Sequence, residues 1–176
     1  RGLDLSRWRV AVVGAEPVWP ETLDRFTQAF APVGFRRDAF RPCYGLAEAT
    51  LFVSGGGIDG PPTVLGFDRT LLERGRAVVA DAGRESTRRL VGCGRIPPEH
   101  DVRIVDPDTL RERPPGVVGE IWVAGAGVSA GYWGRPAASG HPFQATLSGT
   151  DGMFLRTGDL GFLRDGELFV SGRLKA

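Results

Sequence analysis

The pattern of apolar and polar residues divides the chain into two regions of different character. The first region begins with a nearly continuous apolar run at residues 8–13, typical of a strand buried on both faces of a parallel sheet. A helix is predicted next, because Leu23, Phe26 and Phe30 recur at a spacing that places them on one face. A second apolar run follows at residues 40–46. Strand, helix and strand in this order predict a crossover unit with ligand-binding loops at the carboxyl ends of its strands.

Glycine and proline interrupt this pattern at residues 54–62, and we place a subdomain boundary there, between residues 1–57 and 58–176. The chain that follows the boundary is charged and poorly periodic. It predicts only a short helix near residues 68–74 and a strand at residues 77–80.

The rest of the chain has the rhythm of short β-strands separated by proline and glycine turns. Together these strands predict a small barrel or sandwich. Two of them enclose Asp165 and Gly166, a dipeptide typical of the type I′ turn of a tight hairpin. The predicted strands are residues 102–105, 119–124, 131–133, 160–163 and 168–170.

The predicted hairpin brings its two polar ends together. Asp159 lies just before the first strand of the hairpin, and Arg173 lies just after the second. A carboxylate can accept hydrogen bonds from two neighbouring hydroxyls, and a guanidinium suits phosphate or carboxylate. This is the chemistry of a ribose and its phosphate, and a solvated surface pair is the alternative interpretation.

Composition narrows the possible classes of protein. Apolar residues make up 41% of the 176 residues, which is enough for a core. The net charge is +1 and no basic block occurs, so neither nucleic acid nor an anionic membrane surface is indicated as a partner. Two cysteines without metal-ligand spacing, and no apolar run of membrane length, make a reducing cytoplasm the expected location. The abrupt ends suggest a piece of a longer polypeptide.

Two features could indicate a serine hydrolase or a histidine metal site, but their sequence context argues against both functions. Residues 127–131 match the G-x-S-x-G motif of serine hydrolases, but that motif needs a following helix, and no helix is predicted after it. The later histidine, His141, also has no acid between it and Ser129. His100 and His141 lie far apart among prolines, which argues against a histidine metal site.

Glu48 and Tyr44 stand at the predicted end of the second strand, where a ligand would bind. A Mg²⁺ ion carried by phosphates could take the single carboxylate of Glu48, whereas a glutamate at a helix start is the simpler interpretation. Tyr44 is either a core residue or a ring that stacks on a ligand. The chain lacks a P-loop, so a triphosphate clamp, if ATP binds, must lie outside it.

Five motifs together carry a resemblance to a known family. They are Gly-Ala-Glu-Pro at 14–17, Pro-Cys-Tyr-Gly-Leu-Ala-Glu-Ala-Thr-Leu at 42–51, Gly-Glu-Ile-Trp at 119–122 running to Gly-Tyr-Trp-Gly-Arg-Pro at 131–136, Leu-Arg-Thr-Gly-Asp-Leu at 155–160, and Gly-Arg-Leu-Lys at 172–175. In order and spacing the chain resembles the fatty acyl-AMP ligases of the adenylate-forming superfamily. Ala47 replaces a threonine that many relatives carry, a departure that these ligases share.

The resemblance implies a role for individual residues. Glu48 would hold Mg²⁺, Asp159 would bind the ribose hydroxyls with Arg173 beside it, and Lys175 would be the pivot of a small C-terminal domain. The catalytic residues implied are therefore Glu48 and Lys175. The nucleotide-binding residues implied are Gly14, Ala15, Glu16, Pro17, Tyr44, Gly45, Leu46, Asp159 and Arg173.

The resemblance also implies a fold and a reaction. The fold would be α/β plus β: the last strand-helix-strand part of an α/β subdomain, then a distorted β-barrel subdomain, with an insertion at residues 67–90 typical of these ligases. The parent enzyme would use ATP and Mg²⁺ to convert a long-chain fatty acid to its acyl-adenylate, for transfer to an acyl carrier protein. An acyl-CoA synthetase, an amino-acid adenylation domain and a non-catalytic docking module are the alternatives. His141 and Pro142 interrupt a stretch that is usually acidic in the family.

Overall fold

The computed structural model describes residues 2–56, 60–81, 83–150 and 152–174, without the side chain of His141. The helices are α1 (Pro20–Phe30), α2 (Arg69–Glu73) and α3 (Pro136–Phe143). The strands are β1 (Ala11–Val13), β2 (Phe40–Pro42), β3 (Val64–Asp68), β4 (Thr87–Arg95), β5 (His100–Val105), β6 (Gly119–Gly125), β7 (Leu155–Arg164) and β8 (Glu167–Arg173). Single 3-10 turns are formed by Ala31–Val33, Arg37–Ala39 and Ala47–Ala49.

The first part of the fold is the predicted crossover unit. β1 and β2 pair in parallel, with Ala11 opposite Phe40, and α1 connects them. Leu23 of α1 is buried, and Phe26 packs edge-to-face on Phe40 with ring centroids 5.6 Å apart. The apolar stripe of the helix therefore faces the small sheet, and the strand-helix-strand prediction is confirmed.

The first strand was predicted to be buried on both faces, and the described residues cover it on one face only. The strand is shorter than predicted, and Val12 at its centre is 70% exposed. Residues before Ala11 do not pair with β2. Instead the indole nitrogen of Trp8 donates a 2.7 Å hydrogen bond to the carbonyl oxygen of Val10, and the Trp8 ring packs on Phe35. Within the described residues only the α1 side of this sheet is covered.

The second part is a six-stranded antiparallel sheet in the order β3-β4-β8-β7-β6-β5. Its core contains four large aromatic side chains that are almost fully buried: Phe67, Trp122, Phe162 and Phe169. The two edge strands, β3 and β5, do not pair with each other within the described residues, so the sheet is not closed. This open antiparallel sheet is consistent with the distorted barrel that was expected.

The β7–β8 hairpin forms as predicted. Arg164 pairs with Glu167 across a two-residue loop of Asp165 and Gly166. Both loop residues have positive φ, 52° and 78°, which is the backbone of a type I′ turn. The prediction of the hairpin and of its tight turn is confirmed.

Two predicted strands are absent from the described structure, and one helix was not expected. Residues 131–133 lie in a loop that reaches a turn at Trp133 and Gly134. Gly131 has a φ of 142°, and a Cβ there would lie 2.7 Å from the side chain of Ser139. Ser139 belongs to α3, so a helix does follow Ser129, contrary to expectation, although it starts only at Pro136. Residues 77–80 contribute one isolated bridge, from Val79 to Phe67, and no strand.

Strand β4 escaped prediction because two consecutive arginines break its apolar alternation. Both guanidinium groups find partners in the folded protein. Arg88 donates to the carbonyl oxygen of Ser171, and Arg89 donates to Asp24 of α1 at 3.3 Å. The second of these contacts joins the crossover unit to the six-stranded sheet, and Val91 adds apolar contact to the cluster around α1.

Candidate functional site

Tyr44, Asp159 and Arg173 meet at the end of the β7–β8 ribbon. The Tyr44 hydroxyl donates a 2.7 Å hydrogen bond to Oδ2 of Asp159, and Nε of Arg173 lies 3.6 Å from Oδ1. Asp159 and Arg173 are directly paired across the two strands, whereas Tyr44 lies in the loop after β2. The two polar ends of the hairpin therefore face one space, as the sequence predicted.

The three side chains differ in protonation and in exposure to solvent. Burial raises the pKa of Tyr44 far above its ordinary value, and the negative charge of Asp159 raises it further. The phenol is therefore a neutral donor at neutral pH. The side chain of Arg173 is 79% exposed and that of Asp159 only 21%. The Asp159 carboxylate is thus mostly shielded from water, and its present partners are a neutral phenol and an exposed guanidinium. A carboxylate can exchange such partners for the hydroxyls of a ligand.

A bulge in β7 places Asp159 at this position. Glu120 pairs with Leu160, and Trp122 pairs with Arg156, so β7 has two more residues than β6 between these pairs. Gly158, in the bulge, has a φ of 72°, a conformation that favours glycine. The bulge turns the Asp159 side chain towards Tyr44.

Thr157 ties the bulge to the neighbouring strand. Its hydroxyl donates to the carbonyl oxygen of Ile121 at 2.7 Å and accepts from the backbone N–H of Asp159 at 3.1 Å. Beyond the bulge, the backbone N–H of Leu174 donates to the carbonyl oxygen of Gly158. The backbone on both sides of Asp159 is thus held by hydrogen bonds.

Glu120 is a positioning residue that the sequence reasoning did not single out. Its carboxylate is 2% exposed and accepts hydrogen bonds from Trp122 Nε1 at 2.9 Å, from Arg156 Nε at 2.9 Å and from the backbone N–H of Gly158 at 3.1 Å. Arg156 also lies over the Trp122 ring, 5.4 Å from its centroid. The sequence did offer a signal for Glu120, since a carboxylate inside an apolar strand needs buried partners. Those partners could be identified only from the register of β6 and β7.

Glu48 lies in a different contact from Asp159. It stands in the 3-10 turn Ala47–Ala49, and its Oε1 accepts a 2.7 Å hydrogen bond from the hydroxyl of Tyr132. Among the described residues, Glu48 forms no hydrogen bond or ion pair with Asp159 or Arg173. The structure thus brings Tyr44, Asp159 and Arg173 together, whereas the Glu48 carboxylate is hydrogen-bonded to Tyr132 and, in the described structure, to none of these three side chains.

A single carboxylate fits a cation only if a ligand supplies the other oxygens. Among the described residues, no group of three or more His, Cys, Asp or Glu side chains is arranged to hold a metal ion. Oε2 of Glu48 accepts no hydrogen bond from a described residue. Mg²⁺ is often held by one or two carboxylates together with substrate phosphates, and this chemistry agrees with the donors that Glu48 offers.

The turn around Glu48 is built on a close approach of two backbone segments. A Cβ on Gly45 would lie 1.4 Å from the carbonyl oxygen of Leu51, so only glycine fits there. Thr50 and Leu51 both have positive φ, 53° and 73°. Leu46, by contrast, packs against the apolar core of the larger sheet.

The loop at residues 14–17 lies beside the same segment. A Cβ on Gly14 would be 2.8 Å from the carbonyl oxygen of Cys43, the residue before Tyr44, and Ala15 has a φ of 68°. Glu16 and Pro17 are exposed. Lys175, the predicted pivot, lies outside the described residues.

The G-x-S-x-G motif does not build a hydrolase site within the described residues. Ser129 lies in an exposed loop between β6 and α3, and its backbone N–H donates to the carbonyl oxygen of Glu48. No hydrogen bond joins Ser129 to a described histidine.

No described helix is long and apolar enough to cross a membrane.

Comparisons with known proteins agree on one family. Residues 1–133 match the family described as AMP-binding enzyme. The medium-chain-fatty-acid–[acyl-carrier-protein] ligase JamA of Moorena producens is 48% identical over 176 residues, which cover 98% of this chain and 30% of the relative. The putative fatty-acid–CoA ligase FadD21 of Mycobacterium tuberculosis is 46% identical over 179 residues, 99% of this chain and 30% of the relative. The chain thus spans about 30% of the length of these relatives.

A solved structure shows the same fold. The fatty acyl-adenylate ligase from L. pneumophila, in complex with acyl adenylate and pyrophosphate, superimposes with a TM-score of 0.92 at 44% identity. The superposition covers 99% of this chain and 30% of that one. The expected fold, the end of an α/β subdomain followed by a barrel-like β subdomain, is confirmed by this likeness.

Proposed function

We propose that this chain, which belongs to the AMP-binding enzyme family, forms the nucleotide-binding part of a ligase that activates fatty acids with ATP. The observation that carries the proposal is the meeting of Tyr44, Asp159 and Arg173 at the bulge of β7. The Asp159 carboxylate would accept the two ribose hydroxyls of the adenylate, and Arg173 would lie beside ribose or phosphate. The names of the relatives support a fatty acid as the substrate.

The reaction proceeds in two steps in this proposal. An oxygen of the fatty acid carboxylate attacks the α-phosphorus of ATP, the bond from that phosphorus to the bridging oxygen breaks, and pyrophosphate leaves. A thiol then attacks the carbonyl carbon of the acyl-adenylate, loses its proton and releases AMP. Asp159 contributes by fixing the nucleotide for in-line attack, since catalysis of this kind depends mainly on positioning and charge stabilisation.

The remaining residues have proposed roles around the same nucleotide. Gly14, Ala15, Glu16 and Pro17 would line the adenine together with Tyr44, supported by the contact of Gly14 with the residue before Tyr44. Gly45 and Leu46 would lie near the phosphate and the acyl chain. Glu48 would hold Mg²⁺, which when bound offsets the charge of the departing pyrophosphate.

Residues 1–57 would complete an α/β subdomain, and residues 58–176 would form the barrel-like subdomain, with an insertion at 67–90 and a hinge at Lys175. The separation of the two sheets supports this division. A reducing cytoplasm is the proposed location, in agreement with the free thiols of Cys43 and Cys93.

Two thiols are candidates for the acceptor of the acyl group. An acyl carrier protein is favoured by the name of JamA, and coenzyme A is favoured by the name of FadD21. The test uses the full polypeptide that carries this chain. ATP–pyrophosphate exchange that requires a fatty acid supports the ligase, and the acceptor is then identified by offering carrier protein and coenzyme A in parallel. Absence of exchange with every fatty acid would instead favour a non-catalytic docking module.

A further inference from the structure

The loop between β6 and α3 holds the turn around Glu48 by three hydrogen bonds. The hydroxyl of Tyr132 donates to Oε1 of Glu48 at 2.7 Å, and the backbone N–H of Ser129 donates to the carbonyl oxygen of Glu48 at 2.8 Å. The hydroxyl of Thr50 donates to the carbonyl oxygen of Gly127. Both the backbone and the carboxylate of Glu48 are therefore attached to this loop.

Helix α3 fixes the position of Tyr132. The Tyr132 ring packs edge-to-face on Phe143, with centroids 5.1 Å apart at 87°. Its backbone N–H donates to the hydroxyl of Ser139 at 2.8 Å, and that hydroxyl donates to the carbonyl oxygen of Arg135. Gly131 permits the close approach, since its missing Cβ would lie 2.7 Å from Ser139. The phenol is thus held at both its ring and its backbone.

We propose that Tyr132 is a positioning residue for the Glu48 carboxylate, and that it orients this group towards a phosphate-bound divalent cation. The inference rests on the proposed function, because it needs Glu48 to take the cation. The phenol occupies Oε1, and Oε2 accepts no hydrogen bond from a described residue. Carboxylates that bind metals are themselves hydrogen-bonded, and loss of such a partner typically weakens metal affinity about 10- to 100-fold.

The experiment measures the affinity of Mn²⁺ in the presence of saturating α,β-methylene ATP, by the paramagnetic resonance signal of free Mn²⁺, on the full polypeptide. Tyr132→Phe is expected to weaken Mn²⁺ binding about tenfold. Ser139→Ala, which keeps the phenol but removes its anchor, is expected to weaken it by about threefold. The control is Trp133→Phe, because the neighbouring Trp133 is fully exposed, and its Mn²⁺ affinity should equal that of the parent.

Two further measurements separate the possible failures. AMP binding without metal should be unchanged in Tyr132→Phe, because Tyr44 and Asp159 keep their hydrogen bond. Glu48→Gln should weaken Mn²⁺ binding more than Tyr132→Phe does. If Glu48→Gln weakens binding while Tyr132→Phe stays within twofold of the parent, the role of Tyr132 is overturned and the proposed function stands. If Glu48→Gln also binds normally, both the cation role of Glu48 and the role of Tyr132 are wrong.

Discussion

The hydroxyl of Tyr44 donates a 2.7 Å hydrogen bond to the carboxylate of Asp159, a residue 115 positions later in the chain. This bond joins the loop after the parallel pair β1–β2 to the bulge of the antiparallel sheet. It therefore places the candidate site at the junction of the two parts of the fold, where substrate sites are often found.

Neither of the two tyrosines should ionise near pH 10 while the chain is folded. Burial and the charge of Asp159 raise the pKa of Tyr44, and the hydrogen bond to Glu48 raises the pKa of Tyr132. The unfolded chain releases these protons at about pH 10, so the stabilisation is complete below that pH and is lost progressively above it. Tyrosinate absorbance measures the ionisation. Two groups titrating at about pH 10 in the folded protein would contradict the account.

Glu120→Ala should strongly destabilise the larger sheet. The substitution leaves the guanidinium of Arg156, which is 18% exposed, without its partner, and loss of one member of a buried pair costs about 3–5 kcal/mol. Urea unfolding followed by tryptophan fluorescence measures the free energy of unfolding. The matched control is Glu112→Ala, because Glu112 is 47% exposed and its pair with Arg103 should contribute about 1 kcal/mol at most. Equal effects of the two variants would refute the positioning role of Glu120.

Asp24→Asn should lower stability at neutral pH but not at low pH. Burial alone would raise the pKa of Asp24, but hydrogen bonds and charges from Arg37 and Arg89 outweigh it and lower the pKa. The stabilisation is therefore present above about pH 4 and is lost as the pH falls through the lower native pKa. Asp24 is 44% exposed, which limits the effect to about 1 kcal/mol.

Denaturant unfolding of this variant at several pH values checks the sign. Asp38→Asn is the control, because Asp38 has the same exposure of 44% and, among the described residues, forms an ion pair only with Arg36, two positions earlier. A difference between Asp24→Asn and the parent that grows on acidification would show that the ion pairs to α1 do not stabilise the fold.

Gly45→Ala should disrupt the turn that carries Glu48. A Cβ there would overlap the carbonyl oxygen of Leu51 at 1.4 Å, and relief of such a clash by moving backbone costs about 3 kcal/mol or more. Gly172→Ala is the control, since nothing lies within 4 Å of its Cβ position, and its effect should stay within about 0.5 kcal/mol. Thermal unfolding compares the two. A stable Gly45→Ala protein with native Mn²⁺ affinity would contradict the described turn.

The parts of the site that were predictable are those set by local sequence. Asp165 and Gly166 specify a type I′ turn, which sets the register of the hairpin from Arg164–Glu167 to Gly161–Val170 and brings Asp159 and Arg173 to the same end of the ribbon. The direct pairing of Asp159 with Arg173 also needs a register shift between Leu160 and Gly161, which the turn does not specify. The partners of Glu120 were not predictable, because they depend on a two-residue bulge whose position no local pattern reveals.

The contact between Tyr132 and Glu48 was missed for a different reason. It needs helix α3 to position the phenol, and the pattern of α3 is obscured by Gly140 and Pro142. Strand β4 was missed because the charges of its paired arginines are satisfied by partners distant in sequence, such as Asp24 for Arg89.

The most direct test of the central claim is the affinity for AMP, measured by calorimetry on the full polypeptide that carries this chain. Asp159→Asn should bind AMP about 100-fold more weakly than the parent, because it loses two charge-assisted hydrogen bonds to the ribose. Asp165→Asn on the same hairpin, whose side chain is 86% exposed, should bind AMP as the parent does. An Asp159→Asn protein that binds AMP within twofold of the parent would contradict the nucleotide site at Asp159.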